Sequence, residues 1–315
     1  MGRTDGSDAV KVLYIMGRGR GGSTILANAL GELDGFFSAG EVRSLWDPLV
    51  VSDAPCVCGR ALELCPVWSH VIEGVDAHQA AVWQREVVKE RKLLTLLRQG
   101  RASFQPGPPV HAYAGVMGHV YASLASVTGA RVIVDSSKRP SYAALLRLIP
   151  EISPYYVHLV RDPRASAFSW KHRRYASALP GAEVARRGAL DSTLRWNALN
   201  LEAEMFRLSS ERVPFMTLPF EEFIDAPRTT IGRLTSFVAE SVAESPFVDE
   251  HSIRLGTNHS LAGNPSRFSR GVVEIRDTGD WQTSQTRFDR WVASTVAAPL
   301  LLRYGYSFRS PRSDQ

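Results

Sequence analysis

Two stretches of this chain gather residue types that bind anions. Gly17-Arg-Gly-Arg-Gly-Gly-Ser-Thr24 places four glycines, two arginines and two hydroxyls in succession. Glycine lets backbone N–H groups approach a ligand closely, and a helix that starts after such a turn points its unpaired N–H groups at a bound anion. An arginine fork adds paired, charge-assisted hydrogen bonds to phosphate or sulfate oxygens. The competing reading is a glycine turn that merely packs. The second stretch, His158-Leu-Val-Arg-Asp-Pro-Arg-Ala-Ser-Ala-Phe-Ser-Trp170, delivers Arg161 to the end of an apolar strand and Ser169 about two turns into the following helix. Asp162 and Pro163 fit that helix's N-cap and first position. Two separate anion pockets suit a nucleotide with phosphates at both its 5′ and 3′ positions.

Three chemistries compete for the first turn. Gly17, Gly19 and Gly22 satisfy G-x-G-x-x-G, with Glu41 near the position where a dinucleotide site holds its ribose. Two arginines inside the turn would crowd a pyrophosphate approached through bare backbone. Gly17 and Gly22 also fit G-x-x-x-x-G-K-[ST], but Ser23 stands where the phosphate-binding lysine must be, which argues against an ATPase or kinase. The third reading keeps the cradle and moves the cation. Arg20 precedes the tight turn, and Gly21, Gly22, Ser23 and Thr24 open the helix.

These residues need strand ends to position them, and the chain supplies strands alternating with helices. Val12–Met16 runs into the glycine turn and a helix with Ile25, Leu26, Ala29, Leu30 and Leu33 at helical spacing. Arg131–Asp135 turns through Ser136-Ser-Lys-Arg-Pro140 into a second helix. Tyr155–Val160 leads to the helix Arg164–Arg174, and Val213–Leu218 to one around Ile231–Ala239. That alternation predicts the α/β class: a P-loop-like parallel sheet flanked by helices, with ligands at the carboxyl ends of its strands. Helical insertions at Gln79–Arg98 and Ala112–Val127, joined by a Ser103–Pro109 loop, are expected to cover the acceptor site. Glu183–Leu208 and Arg287–Arg303 read as further helices. No Pro/Gly/Ser linker divides the chain, so residues 10–308 are expected to form one domain between flexible termini at 1–9 and 309–315.

In these segments the chain resembles the PAPS-dependent sulfotransferases, which use 3′-phosphoadenosine 5′-phosphosulfate as donor. Arg20-Gly-Gly-Ser-Thr24 is similar to their 5′-phosphosulfate loop, usually Lys/Arg-Ser-Gly-Thr-Thr; Gly21 here lacks the serine hydroxyl. Arg161 through Ser169 is similar to their 3′-phosphate motif. Asn264-Pro-Ser-Arg267 and Gly279-Asp-Trp281 resemble their late nucleotide-contacting region. The resemblance spans residues 12–46, 131–175 and 259–281. It implies PAPS as co-substrate without a required metal, held by Arg20, Gly21, Gly22, Ser23, Thr24, Arg161, Ser169, Asn264 and Arg267.

Sulfuryl transfer needs the acceptor deprotonated as it attacks sulfur, and positive charge where the departing phosphate oxygen becomes anionic. Arg20 and Lys138 are the cations at hand. Lys138 ends the second strand, at a position similar to a catalytic lysine of the tyrosyl-protein branch. Glu41, in Ala39-Gly-Glu-Val-Arg43, is the expected base, on a segment that resembles the one bearing the catalytic glutamate of that branch. The competing role for Glu41 is a salt bridge with Arg43 or Arg20. Phenol-sulfating relatives use a histidine; His111 and His119 are the alternatives, while His158 reads as packing within its strand.

Cys56, Cys58 and Cys65, with His70 beyond, could offer four soft ligands, but Cys-x-Cys-x6-Cys is no standard zinc spacing. A packed loop beside the acceptor pocket is expected, with no metal; similar loops in bacterial sulfotransferases imply a bacterial source. Trp46, Trp68, Trp83 and Phe104 lie in the segments covering the acceptor and read mostly as core. The net charge of +5, from 37 Lys and Arg against 32 Asp and Glu, suits an anionic ligand but is too mild for a nucleic-acid partner. No run nears the ~20 apolar residues of a membrane span, and Met1–Ala9 lacks the order of a signal peptide, so a cytoplasmic protein is expected. The acceptor is a small molecule, glycan or lipid carrying a hydroxyl or amine. Two rivals are a nucleotide-binding regulatory protein without catalysis and a small-molecule kinase. Glu41 and Lys138 together favour the enzyme, since a binder needs neither.

Overall fold

Val12, Tyr14 and Met16 point to one side of the first strand and Leu13 and Ile15 to the other, and all five are fully buried. A strand apolar on both faces must lie between two helical layers. The computed structural model, which describes residues 9–47, 56–87, 108–172, 186–209, 213–242, 245–277 and 279–308, has that arrangement. Val12, Tyr14 and Met16 pack with Trp46, Trp68, Tyr121 and Tyr142, whereas Leu13 and Ile15 pack with Leu26, Leu30, Phe220 and Leu234.

Five parallel strands form the sheet: β1 (Val10–Gly17), β2 (Phe36–Gly40), β3 (Val132–Lys138), β4 (Ile152–Val160) and β5 (Phe215–Pro219). Their order is β2-β3-β1-β4-β5. The chain leaves central β1 for one edge, returns through β3, then crosses to β4. The carboxyl end of β1 is therefore a switch point, where a crevice opens between diverging connections.

Helices follow the strands: α1 (Ser23–Gly31), α2 (Trp68–Ile72), α3 (Ala77–Val87), α4 (Pro108–Thr128), α5 (Pro140–Leu146), α6 (Pro163–His172), α7 (Ala189–Leu208), α8 (Phe220–Asp225) and α9 (Pro227–Phe237). The closing segment, expected as one helix over 287–303, is two, α11 (Arg287–Val296) and α12 (Ala298–Arg303), after a short α10 (Asp280–Ser284). Pro299 lies in the first turn of α12, where its missing N–H is harmless, so the break falls just before it. The sequence reading has no counterpart for the antiparallel pair β6 (Ser252–Leu255) and β7 (Gly271–Glu274). Parts of the expected insertions, 88–98 and 103–107 with Phe104, lie outside the described residues, as do the start of the 183–208 helix and both termini beyond residues 9 and 308. No described helix is long and apolar enough to cross a membrane.

His158 sits in the middle of this packing. Its ring Nε2 lies 2.8 Å from Asn200 Oδ1, so Nε2 carries the hydrogen and donates it. Nδ1 is buried without a partner, leaving nowhere for a second proton to bond. Burial pushes the imidazole down from its ordinary 6.5 to about 4. Below pH 6.5 the unfolded chain binds a proton that the folded one refuses, so stability held above that pH is lost as pH falls toward 4. The shift corresponds to on the order of 3 kcal/mol. Urea unfolding at pH 7 and pH 4.5 should show that loss in the native chain and a shallower one in His158→Gln, whose amide can still donate to Asn200. Equal slopes would refute the assignment.

Candidate active site

The glycine turn leaves β1 beside β4, with Gly17 opposite Leu159. A side chain on Gly17 would strike the Leu159 carbonyl, and one on Gly22 would enter the Phe220 ring. Gly22 caps α1 with φ +88°, a left-handed backbone that glycine adopts without steric cost. The Gly21 N–H donates to the Arg18 carbonyl at 3.0 Å and closes the turn. Ser23 and Thr24 begin α1, and no side chain caps its first N–H groups. Trp170 on α6 braces the turn, donating from Nε1 to the Gly19 carbonyl at 3.1 Å. Its ring lies under the guanidinium groups of Arg18 (4.8 Å) and Arg20 (5.2 Å).

Glu41 and Lys138 meet because β2 and β3 are parallel neighbours that end at the same edge. Gly40 closes β2, and the Glu41 N–H donates to the Leu261 carbonyl at 2.7 Å. β3 shifts register just before its end, and Lys138 follows with φ +70°. Buried Asp135 anchors this bend, accepting from the Ser137 N–H at 2.8 Å and the Tyr121 hydroxyl at 2.6 Å. Lys138 Nζ then donates to Glu41 Oε1 in a mostly buried ion pair. Glu41 is therefore salt-bridged, as the competing reading allowed, but to Lys138 rather than to Arg43 or Arg20. His111 and His119 lie exposed on α4 and are not among the residues lining the cavity described next.

Turn, pair and loop enclose a cavity of about 380 Å³. Arg18, Arg20, Arg43, Lys138 and Arg139 line it against the single carboxylate of Glu41, with Ser137, Trp170 and Asn264. The sequence reading assigned no site role to Arg18, Arg43, Arg139 or Trp170; the nearest signal was the pairing of Arg18 with Arg20 in one turn. Arg18 Nε and Nη2, Arg43 Nε and the Thr24 hydroxyl are buried with no hydrogen-bond partner among the described residues. Burial, and then the neighbouring Arg187, pulls the Arg18 guanidinium down to about 10. Such a cavity favours an anion.

Arg161 lies behind the turn, outside the residues lining this cavity. Its Nη1 donates to the Arg20 carbonyl at 3.0 Å and its Nη2 to Asp277 at 2.8 Å; its Nε is buried without a partner. Asp162 caps α6 as expected, accepting from the Arg164 N–H at 2.8 Å. Ser169 is buried on the same helix. From the late region, Asn264 Oδ1 accepts from Arg20 Nη1 at 3.3 Å, and Gly263 lies against Glu41 and Thr24. Arg267 is only 2% exposed, with Nε and Nη2 unpartnered, and is not among the lining residues.

Trp46 and Trp68 are core residues, as expected, and Trp83 packs against the same core. His70 does not join the cysteines: it is exposed, and its Nδ1 pairs with the Pro66 carbonyl. The side chain that does approach them is His259, from the late region.

Among solved structures, the chain is similar to a sulfotransferase domain from the curacin biosynthetic pathway: 16% identity, 96% of this chain and 100% of that one covered, TM-score 0.56. It also aligns with a sulfotransferase from Alicyclobacillus acidocaldarius at 10% identity over 94% of this chain and 96% of that one, TM-score 0.42. No curated protein sequence matches it significantly. The sequence pattern of the Sulfotransferase family matches residues 13–244, a stretch that includes the glycine turn, Glu41, Lys138 and Arg161 through Ser169. The chain thus belongs to the sulfotransferase family, enzymes that move a sulfuryl group onto an acceptor.

Proposed function

We propose that this enzyme transfers the sulfuryl group of PAPS to a hydroxyl or amine of a small-molecule, glycan or lipid acceptor. The observation that carries this reading is the Glu41–Lys138 pair, set at one sheet edge and facing the same cavity as the Gly17–Thr24 turn. The unpartnered Arg18, Arg43 and Thr24 atoms fit a polyanionic donor, which supplies a sulfuryl group on a mixed phosphate–sulfate anhydride. Gly21, Gly22, Ser23 and Thr24 would hold its 5′ end against the N-terminus of α1, with Arg20 alongside. Arg161 and Ser169 would take the 3′-phosphate, through Arg161 Nε and any bond released by Asp277. Asn264 fixes Arg20, and Arg267 approaches from the late loop.

Glu41 accepts the acceptor's proton as its oxygen or nitrogen bonds to sulfur. The sulfur–oxygen bond to phosphate breaks, and the leaving oxygen keeps the electron pair. An ammonium group has three donors, and Glu41 occupies one on Lys138, so the others can meet that oxygen. Lys138 also fixes the Glu41 side chain at the cavity through their ion pair. Arg20 and Arg18 add positive charge already in place before reaction, which is where such sites gain most of their rate.

The kinase reading separates from this one by donor. Given an acceptor-containing metabolite extract, the pure chain should transfer label from sulfur-labelled PAPS, with or without Mg²⁺. It should transfer none from γ-labelled ATP, because Ser23 stands where a kinase loop carries its lysine. Mg²⁺-dependent turnover of ATP would put the kinase first, and tight binding of adenosine 3′,5′-bisphosphate without transfer to any acceptor would favour the regulatory protein.

A further inference from the structure

The cysteine loop takes no part in the chemistry above, yet it is the most concentrated set of soft ligands in the described chain. Cys56 and Cys65 are fully buried and Cys58 partly so. His259 Nδ1 lies 3.3 Å from Cys65 Sγ and 3.6 Å from Cys56 Sγ. The ligand atoms of Cys56, Cys58, Cys65 and His259 all lie within 4.8 Å of one another. Hydrogen bonds would hold this cluster only weakly, since one imidazole nitrogen can accept from only one thiol and thiol sulfurs are poor acceptors for the others. A disulfide would use two sulfurs and leave the third with the imidazole. A cysteine nucleophile needs access, which Cys56 and Cys65 lack.

Tetrahedral zinc accounts for all four. With Zn–S near 2.3 Å and Zn–N near 2.0–2.1 Å, neighbouring ligand atoms stand roughly 3.5–3.8 Å apart, close to the spacing seen. The local chain is shaped for it. Gly59, at φ +86°, lets the loop reverse within one turn, with its N–H on the Cys56 carbonyl and the Cys56 N–H on the Arg60 carbonyl, both at 2.8 Å. The fourth ligand is held from the other side, where Trp68 Nε1 donates to the His259 carbonyl at 2.6 Å. Arg270 reaches back to the Val57 carbonyl at 3.2 Å.

We propose that Cys56, Cys58, Cys65 and His259, through Nδ1, bind one structural Zn²⁺. The ion replaces the three thiol protons, which go to solvent, and the site carries a net charge of about −1 from three thiolates and one dication. Four protein ligands close the coordination sphere, so the metal does no chemistry. Its effect is to join the 56–68 loop to residues 256–270, and through Asn264 and Gly263 to Arg20 and Glu41. No metal was expected from the sequence because Cys-x-Cys-x6-Cys is no standard zinc spacing and the fourth candidate was His70; the fourth ligand the structure supplies lies 194 residues beyond Cys65.

Metal content and spectroscopy test this without reference to activity. The full chain, purified under reducing conditions without chelator, should carry about one zinc per molecule by elemental analysis. After exchange, Co²⁺ should give the intense visible bands and thiolate charge-transfer absorption of a tetrahedral sulfur-rich site. Cys65→Ser should lose most of the metal and His259→Ala should alter the cobalt spectrum, while His70→Ala should match the native chain. If those variants fail to fold, the native chain's stoichiometry and cobalt spectrum still decide. A metal-free native chain that takes up no Co²⁺ tetrahedrally, stoichiometric iron in place of zinc, or a cobalt spectrum unchanged in His259→Ala would overturn the assignment.

Discussion

Glu41→Gln is expected to lower kcat by about 10²–10⁴-fold, the usual contribution of a general base, while leaving affinity for adenosine 3′,5′-bisphosphate unchanged. Glutamine keeps the shape and can still bond Lys138, but it cannot take the acceptor's proton. Lys138→Ala should also slow turnover, for a different reason: positive charge is lost where the leaving oxygen becomes anionic. Acceptor acidity separates the two. A more acidic hydroxyl needs less help with its proton, so it should partly rescue Glu41→Gln and leave Lys138→Ala slow. Turnover across acceptors of graded pKa is the measurement. Full activity in Glu41→Gln with loss in His111→Ala or His119→Ala would move the base to a histidine, although neither lines the cavity.

The second large effect is expected at Gly22. An alanine there needs a left-handed backbone at φ +88° and drives its Cβ into the Phe220 ring. Left-handed backbone costs an L-residue roughly 1–2 kcal/mol and overpacking about 1–3 more, so the turn should open and donor affinity fall by about 30- to 5,000-fold. Calorimetry with adenosine 3′,5′-bisphosphate reads this directly. Adding Phe220→Leu should recover the part due to the ring and not the part due to φ. An unchanged affinity in Gly22→Ala would mean that the turn does not cradle the donor.

What the sequence made legible was local. The Gly17–Thr24 turn carries its glycines, cation and hydroxyls in one run, and strand–turn–helix is readable from apolar periodicity. Glu41 and Lys138 were readable as separate candidates because each sits at the carboxyl end of a strand. Their pairing was not, because it depends on β2 lying next to β3, and the strand order β2-β3-β1-β4-β5 leaves no mark on any one segment. The same holds for Trp170 under Arg18 and for His259 beside the cysteines. Contacts across about a hundred residues or more are made by topology, and neither spacing nor propensity records them. Arg161 shows a further limit: its type and place were legible, but its bonds to the Arg20 carbonyl and Asp277 were not.

Arg20 and Lys138 each carry a long side chain on left-handed backbone, at φ +73° and +70°. Glycine at either position would release roughly 1–2 kcal/mol of that conformational penalty and return about 0.5–1 kcal/mol of it through a freer unfolded chain. At residue 138 the ion pair with Glu41 outweighs that gain, whereas residue 20 is open to a change that holds or raises the melting temperature and removes a cation from the site. Selection for a sturdier protein and selection for a faster one pull in opposite directions there. A screen for thermal tolerance alone would be expected to enrich glycine at residue 20 and to recover well-folded, slow enzymes.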